Sequence, residues 1–495
     1  MMRLTVIFTL LLLTSCVSNK LITVEKDTNA VNYANTITAK ELKGHLYVFA
    51  SDKFLGRETG KEGQQIAEKY LVDEFKEIGI EPGNNGSYLQ SFEVVEHLRP
   101  VATIYVNGRE YFNRKQFYFF SSLADFEDTT IQLKDVVDVS YGIENKELNN
   151  YKDIIVKDKI VLINVNNPEE VAPEENWNWR RKLALAQEKG AQSVFFIDEY
   201  YDQRLEVVSH YLESSTMNLL EDEDKEKGQY IPFYFVNDVL KKELLEAETD
   251  IKIDFNFRDV VLETTNVLAY VEGSDSVLKD EVIVITAHYD HIGVEGQDIY
   301  NGADDDGTGS VALLELAEAF QLAKKNGNGP KRSILIMPVS GEEKGLLGSK
   351  YYTNHPVYPL ENTVANLNID MIGRIDSTHL GDTNYLYLIG SDRISNDLHL
   401  ISEAVNKAYM KLDLDYTYNK EDDPNKFYYR SDHYNFAKNR VPVIFYFSGV
   451  HEDYHKVTDT VDKIIFEKVE KAARLVFYTA WELANREERI KKNAK

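Results

Sequence analysis

Five short stretches place His, Asp and Glu at the ends of apolar runs. Ile285-Thr286-Ala287-His288-Tyr289-Asp290 closes a β-branched run with His-x-Asp. Residues i and i+2 of a strand share a face, so Asp290 can meet His288. A ligating histidine usually gives its second ring N–H to such a carboxylate. Asn301-Gly302-Ala303-Asp304-Asp305-Asp306-Gly307-Thr308-Gly309 carries three consecutive carboxylates into an apolar helix beginning at Ser310. Three adjacent carboxylates cannot be buried without cations or donors; the alternatives are a solvated turn or a calcium loop. Val339-Ser340-Gly341-Glu342-Glu343-Lys344-Gly345 follows another apolar run. Two neighbouring glutamates there can divide labour, one ligating a metal and one acting as general base. Asn368-Ile369-Asp370-Met371 repeats the pattern, and Asp453-Tyr454-His455-Lys456 follows the run Pro442–Phe447. Each motif alone is common. Together they offer two histidines and at least three carboxylates, a donor set that suits zinc, and a shared carboxylate between two ions suits hydrolysis.

The elements that must position these groups alternate. Strands are expected at Val267–Val271, Val282–Ala287, Ser333–Val339, Val364–Ile369, Tyr385–Ile389 and Val441–Phe447. Helices are expected at Gly309–Lys324, Gly345–Thr353, Asn396–Met410 and Lys463–Arg486. The alternation predicts an α/β fold with a mostly parallel central sheet and helices on both faces. Sites in such sheets lie beyond the carboxyl ends of the strands, where these motifs fall. Upstream, Ile66, Tyr70, Val72, Phe75 and Ile78 recur at helical spacing, and Gly79 is a C-cap candidate. Between them, short strand-like runs at Thr103–Val106, Lys159–Val165 and Ser193–Ile197, a helix at Arg181–Lys189 and acidic loops predict a smaller β-rich α+β domain. The expected division is a signal at 1–15, a tether at 16–37, the first part of the main domain at 38–92, an insertion at 93–263 and the main domain from 264 to 495.

The chain has 495 residues, too many for one ordinary core. With 43% hydrophobic and 28% charged residues it reads as globular, and its net charge of −26 disfavours phosphate backbones, so no nucleic-acid partner is expected. After Met1-Met2-Arg3 comes an apolar run, Leu4–Leu13, far short of the about 20 residues a spanning helix needs. It reads as a secretory signal. Leu13-Thr14-Ser15-Cys16 resembles a bacterial lipobox and holds the chain's single cysteine. The expectation is an exported lipoprotein of the cell envelope, periplasm-facing or surface-exposed, held to the membrane by lipid on Cys16.

As a set, the five motifs resemble the di-zinc aminopeptidases, metallopeptidase family 28, in order and spacing. Leu55-Gly56-Arg57-Glu58-Thr59-Gly60 extends the likeness to the N-terminal part. The resemblance implies two Zn2+ ions and a peptide substrate. It makes His288 and Asp370 ligands of one ion, Glu343 and His455 ligands of the other, and Asp305 the bridge, with a cis peptide after it. Glu342 corresponds to the general base and Asp290 to the carboxylate orienting His288. Tyr454 corresponds to a phenol that stabilises the oxyanion, with a packing tyrosine as the alternative. Arg430-Ser431-Asp432-His433 is similar to a segment lining the substrate cleft, where Arg430 holds a substrate carbonyl or carboxylate and His433 is structural.

The middle zone resembles a protease-associated domain through Val156–Leu162 and the helix ending at Gly190-Ala191. Trp177 and Trp179 lie on it, as gate or as packing. The implied function is zinc-dependent release of N-terminal residues. The alternatives are a carboxypeptidase of the glutamate-carboxypeptidase type, for which no cationic side-chain pocket is located, a cyclase on the same fold, and a non-catalytic receptor-like relative, which the complete ligand set disfavours.

Overall fold

Runs buried on both faces must lie inside a sheet, and the computed structural model places them there. It describes residues 22–98, 101–120, 123, 130–133, 135–213, 215–225, 230–246, 250–256 and 258–494. The signal segment and Cys16 lie outside the described residues.

The strands that matter are β1 (Leu89–His97), β2 (Asp259–Val267), β3 (Ala269–Val271), β4 (Val282–His288), β5 (Ser333–Val339), β6 (Thr363–Ile369), β7 (Tyr385–Ile389), β8 (Asp413–Asp415) and β9 (Val443–Phe447). The principal helices are α1 (Thr28–Ala34), α2 (Ala39–Phe49), α3 (Glu62–Ile78), α4 (Gly309–Lys325), α5 (Leu347–Asn354), α6 (Asn396–Val405), α7 (His433–Lys438) and α8 (Phe466–Asn485).

An eight-stranded sheet runs from the short strand Glu81–Pro82 through β3, β5, β4, β6, β9 and β7 to β8. The central four, β5-β4-β6-β9, are parallel. The sheet is mixed at its margins: β3 is antiparallel to β5, and β7 to β9. The expectation of a mostly parallel sheet therefore holds for the centre. Strand β4 shows why both faces are covered. Ile283, Ile285 and Ala287 point into a core with α1–α4 and α8, whereas Val282 and Val284 join Tyr352 and Phe436 of α5 and α7 on the other face.

Helix α3 ends as its sequence predicts. Gly79 adopts φ +73° and its N–H returns to Phe75 and Lys76. The stretch expected to be a polar tether differs. It forms α1, whose Ala30, Tyr33 and Ala34 are buried at i, i+3 and i+4, and Trp481 Nε1 donates to its N-cap Asp27 at 2.9 Å.

Residues 101–256 build a two-sheet unit. A five-stranded sheet centres on the parallel strands Ile160–Asn164, Ser193–Ile197 and Phe233–Val236, and a four-stranded antiparallel sheet includes Val101–Val106 and Ile251–Asn256. The unit joins the main sheet's domain through the nine-pair antiparallel ladder of β1 and β2. The limits expected at Glu93 and Glu263 fall inside that ladder. Trp177 is buried beside Ile143 and Val171, and Trp179 stacks on Phe233 at 5.2 Å, so both pack the unit's core.

Candidate metal centre

The four parallel strands end on one side, and each delivers a polar group there. His288 is the last residue of β4, Glu342 and Glu343 follow β5, Asp370 follows β6, and His451–His455 follows β9. The acidic loop Asp304–Asp306 enters α4 from the same side. The expected residues meet. Asp305 Oδ1 is 3.2 Å from His288 Nε2, which is 3.6 Å from Asp370 Oδ1. Asp305 Oδ2 is 3.2 Å from His455 Nε2, itself 3.2 Å from Glu343 Oε2. Asp305 thus faces both groups, one oxygen to each. The Asp305–Asp306 peptide is cis.

The surrounding loop is held by a second set of contacts. Asp459 accepts from the backbone N–H groups of Asp304 and Asp305. Asp306 Oδ1 accepts from Gly309 N and Met371 N at 2.9 and 3.1 Å. A Cβ on Gly309 would sit 2.4 Å from Asp306 Oδ2, so this close turn requires glycine. The buried guanidinium of Arg57 donates to the carbonyls of Phe49, Tyr289, Asn301 and Gly302, fastening the N-terminal segment to the loops on either side of the site.

Asp290 departs from its expected contact. His288 Nδ1 lies 3.1 Å from the Asp290 main-chain carbonyl and 3.9 Å from its carboxylate. The carboxylate accepts instead from Thr59 Oγ1 at 2.8 Å and Glu342 N at 3.2 Å. The main-chain carbonyl is therefore the nearer orienting partner of His288. On the other ligand, Ser431 Oγ donates to Asp370 Oδ2 at 2.7 Å and accepts from Asn368 Nδ2 at 2.8 Å.

Glu342, Tyr454 and Arg430 line one cavity with Asp305, Asp370 and an apolar wall of Met371, Phe427, Phe445 and Phe447. Tyr454 stacks on His455 at 3.9 Å, and Arg430 Nη2 lies 3.4 Å from the Tyr454 hydroxyl. His433 is buried, stacks on Phe445 at 4.7 Å, and is pushed down to about 3 by burial, so it stays neutral and structural.

The buried carboxylates and imidazoles shift one another strongly. Burial alone would raise Glu343, as would Asp305, but His291 and His455 hold it at about 2. Burial would lower His455, yet Asp305 and Glu343 raise it to about 10. Burial likewise opposes the His288 imidazolium, and Glu342, Asp305 and Asp370 raise it well above the ordinary value. The same lone pairs that the carboxylates favour protonating are the ones a cation would take, so metal binding would compete with protons there. Several buried atoms have no hydrogen-bond partner: Asp305 Oδ2, Asp306 Oδ2, Glu343 Oε1 and both ring nitrogens of His291. Orphaned buried groups of this kind call for an ion or water. The donor set fits two divalent cations, and two ligand groupings emerge from distances alone: His288, Asp306 and Asp370, and His291, Asp305 and Glu343. Asp305, rather than Asp306, contacts both groupings.

The peptidase family M28 model matches residues 266–480. Those residues are similar to the metallopeptidases of family M28. The match spans all five motifs and ends within α8. Aminopeptidase YwaD of Bacillus subtilis is 25% identical over 260 residues, covering 51% of this chain and 52% of its own length. A probable leucine aminopeptidase of Arthroderma otae is 31% identical over 212 residues, covering 41% of this chain and 55% of its own. The chain therefore spans about half the length of these curated relatives, and 11% of a Verticillium alfalfae vacuolar membrane protease that is 33% identical over 119 residues, or 21% of this chain. Among solved structures, an aminopeptidase from Aneurinibacillus sp. strain AM-1 shares the fold with a TM-score of 0.57 and 18% identity, over 94% of this chain and 98% of its own. BSAP, a zinc aminopeptidase from Bacillus subtilis, does so with a TM-score of 0.51 and 17% identity, over 91% and 96%.

Within the matched segment, several residues that reach the site went unread in the sequence. His291 directly follows Asp290, so the signal was a second histidine in His-Tyr-Asp-His. Ser431, between Arg430 and His433, gave no sign in the sequence that its hydroxyl would reach Asp370. Asp432 beside it is fully buried and pushed up to about 7, chiefly by burial. Thr59 lies outside the segment, 231 positions from the carboxylate it contacts.

Proposed function

We propose that this chain is a zinc-dependent aminopeptidase that hydrolyses the N-terminal peptide bond of its substrates. The observation that carries the reading is Asp305 facing two His-carboxylate groups, with Glu342 on the shared cavity wall. The named relatives and BSAP support zinc and the aminopeptidase activity.

His288, Asp370 and Asp305 would hold one ion, and Asp305, Glu343 and His455 the other. When bound, the pair supplies positive charge that acidifies a water and polarises the scissile carbonyl. Glu342 accepts the proton of the attacking water and returns it to the leaving amine. Tyr454 remains a neutral phenol, since burial and the nearby Asp305, Glu343 and Glu342 carboxylates oppose its ionisation. It can therefore donate to the oxygen that becomes anionic. Arg430 at the mouth, over the Phe427 ring at 4.8 Å, holds a substrate carbonyl. The carboxylates of the site receive the free α-amino group, which makes the enzyme an exopeptidase.

The test is a panel of free and N-blocked peptides, with chelation and zinc add-back. Zinc-restored cleavage confined to free N-termini is expected. Cleavage of N-blocked peptides from the C-terminus would instead make it a carboxypeptidase.

The chain is further proposed to be an exported envelope lipoprotein, acylated at Cys16, with a protease-associated-like insertion. Leu4–Leu13 and Leu13-Thr14-Ser15-Cys16 support the export and anchor. Labelled palmitate should enter the wild-type protein and not Cys16→Ala; equal labelling would reject the anchor.

A further inference from the structure

We propose that His291 is itself a metal ligand, adding a second nitrogen to the ion position formed by Asp305, Glu343 and His455. The proposal rests on the di-metal reading above and assigns a residue that reading leaves out.

His291 is completely buried, and its Nδ1 lies 2.7 Å from Glu343 Oε1 and 3.8 Å from Asp305 Oδ2. Despite the short approach, none of these three atoms has a hydrogen-bond partner, and neither has His291 Nε2. One ligand atom from each of His291, Asp305 and Glu343 lies within 4.8 Å of the others, close enough to share one ion. The assigned ligand pairs, His288 with Asp305 and His455 with Glu343, lie at 3.2 Å. His291 Nε2 is buried without a hydrogen bond, and a cation held at the ring would offset the cost of burying it.

The fold places this ring deliberately. His291 N donates to the Arg57 carbonyl at 3.2 Å, and His291 pairs with Glu58 in an isolated bridge. Its ring rests against Gly302, where a Cβ would approach Cγ and Cδ2 to 2.5 Å, and Gly302 has φ +50°. Glycine is thus required for the ring to reach the carboxylates. The consequence is asymmetry. One position would have four protein ligands, as closed zinc sites do, while the position at His288, Asp370 and Asp305 keeps open coordination for water and substrate.

The experiment is zinc X-ray absorption on the full chain loaded with two ions, together with metal titration. The wild type is expected to show three imidazoles shared by the two ions. In His291→Gln, which keeps a polar side chain near Glu343, imidazole scattering per zinc should fall by about one third, and one of the two ions should bind about tenfold or more weakly. Wild-type scattering from two imidazoles would overturn the proposal without needing the variant, and so would unchanged scattering in His291→Gln. A wild-type chain that binds fewer than two ions would overturn the di-metal reading, and this proposal with it.

Discussion

Thr59 Oγ1 donates to Asp290 Oδ2 at 2.8 Å, linking the N-terminal segment to a carboxylate beside the metal centre. The same carboxylate accepts from the Glu342 backbone, so one buried group ties the segment before α3 to the loop bearing the proposed base. Thr59→Val keeps the shape and removes the donor. It should destabilise the fold by about 1–3 kcal/mol, read as a lower urea midpoint at unchanged slope. An unchanged midpoint would mean that Asp290 is satisfied without Thr59.

Glu342→Gln should bind zinc as the wild type does and lose about 100-fold to 10,000-fold in turnover, the range expected for a missing general base. Metal analysis beside peptide hydrolysis separates the two effects. Wild-type turnover would remove Glu342 from the mechanism.

Ser431→Ala withdraws the hydroxyl that orients Asp370. Zinc affinity should fall about 10-fold to 100-fold, because partners of ligating carboxylates set ligand orientation. Competition with a chelator of known strength measures this directly, and unchanged affinity would show that Asp370 is held by other contacts.

Arg57→Lys should not preserve stability. The guanidinium satisfies four carbonyls, three of them in the loops flanking the site. A lysine ammonium cannot reproduce that fork. A loss of about 3 kcal/mol or more is expected from denaturant unfolding. A loss below about 1 kcal/mol would mean that water or the ammonium replaces the fork.

Glu315 predicts a pH dependence. It is 2% exposed, and burial raises it from 4.5 to about 8, while Thr38 N opposes the shift. The folded state therefore keeps a proton that the unfolded state has lost. Its contribution to stability is greatest below pH 4.5 and declines as pH rises toward 8. Glu315→Gln should flatten that decline, so the variant gains on the wild type with rising pH across this window. Parallel unfolding curves at every pH would refute the shift.

Much of this was local enough to read. Continuous apolar runs placed β4, β5, β6, β7 and β9 within two residues, and Gly79 marked the end of α3. The five motifs at strand ends located the centre, and the likeness to family 28 picked Asp305 from three adjacent aspartates. α1 was hidden because it is only seven residues long and three of them, Thr28, Asn29 and Asn32, are polar.

The sequence by itself therefore determined the strand–helix alternation and the ligand types at the strand ends, because side-chain periodicity and turn chemistry act within a few residues. Tertiary structure alone decided the antiparallel margins, the main-chain partner of His288, and the convergence of Thr59, Ser431 and His291 on the centre. Those contacts join segments from different elements, and they form only when packing brings the elements together and excludes the water that would otherwise satisfy their polar groups.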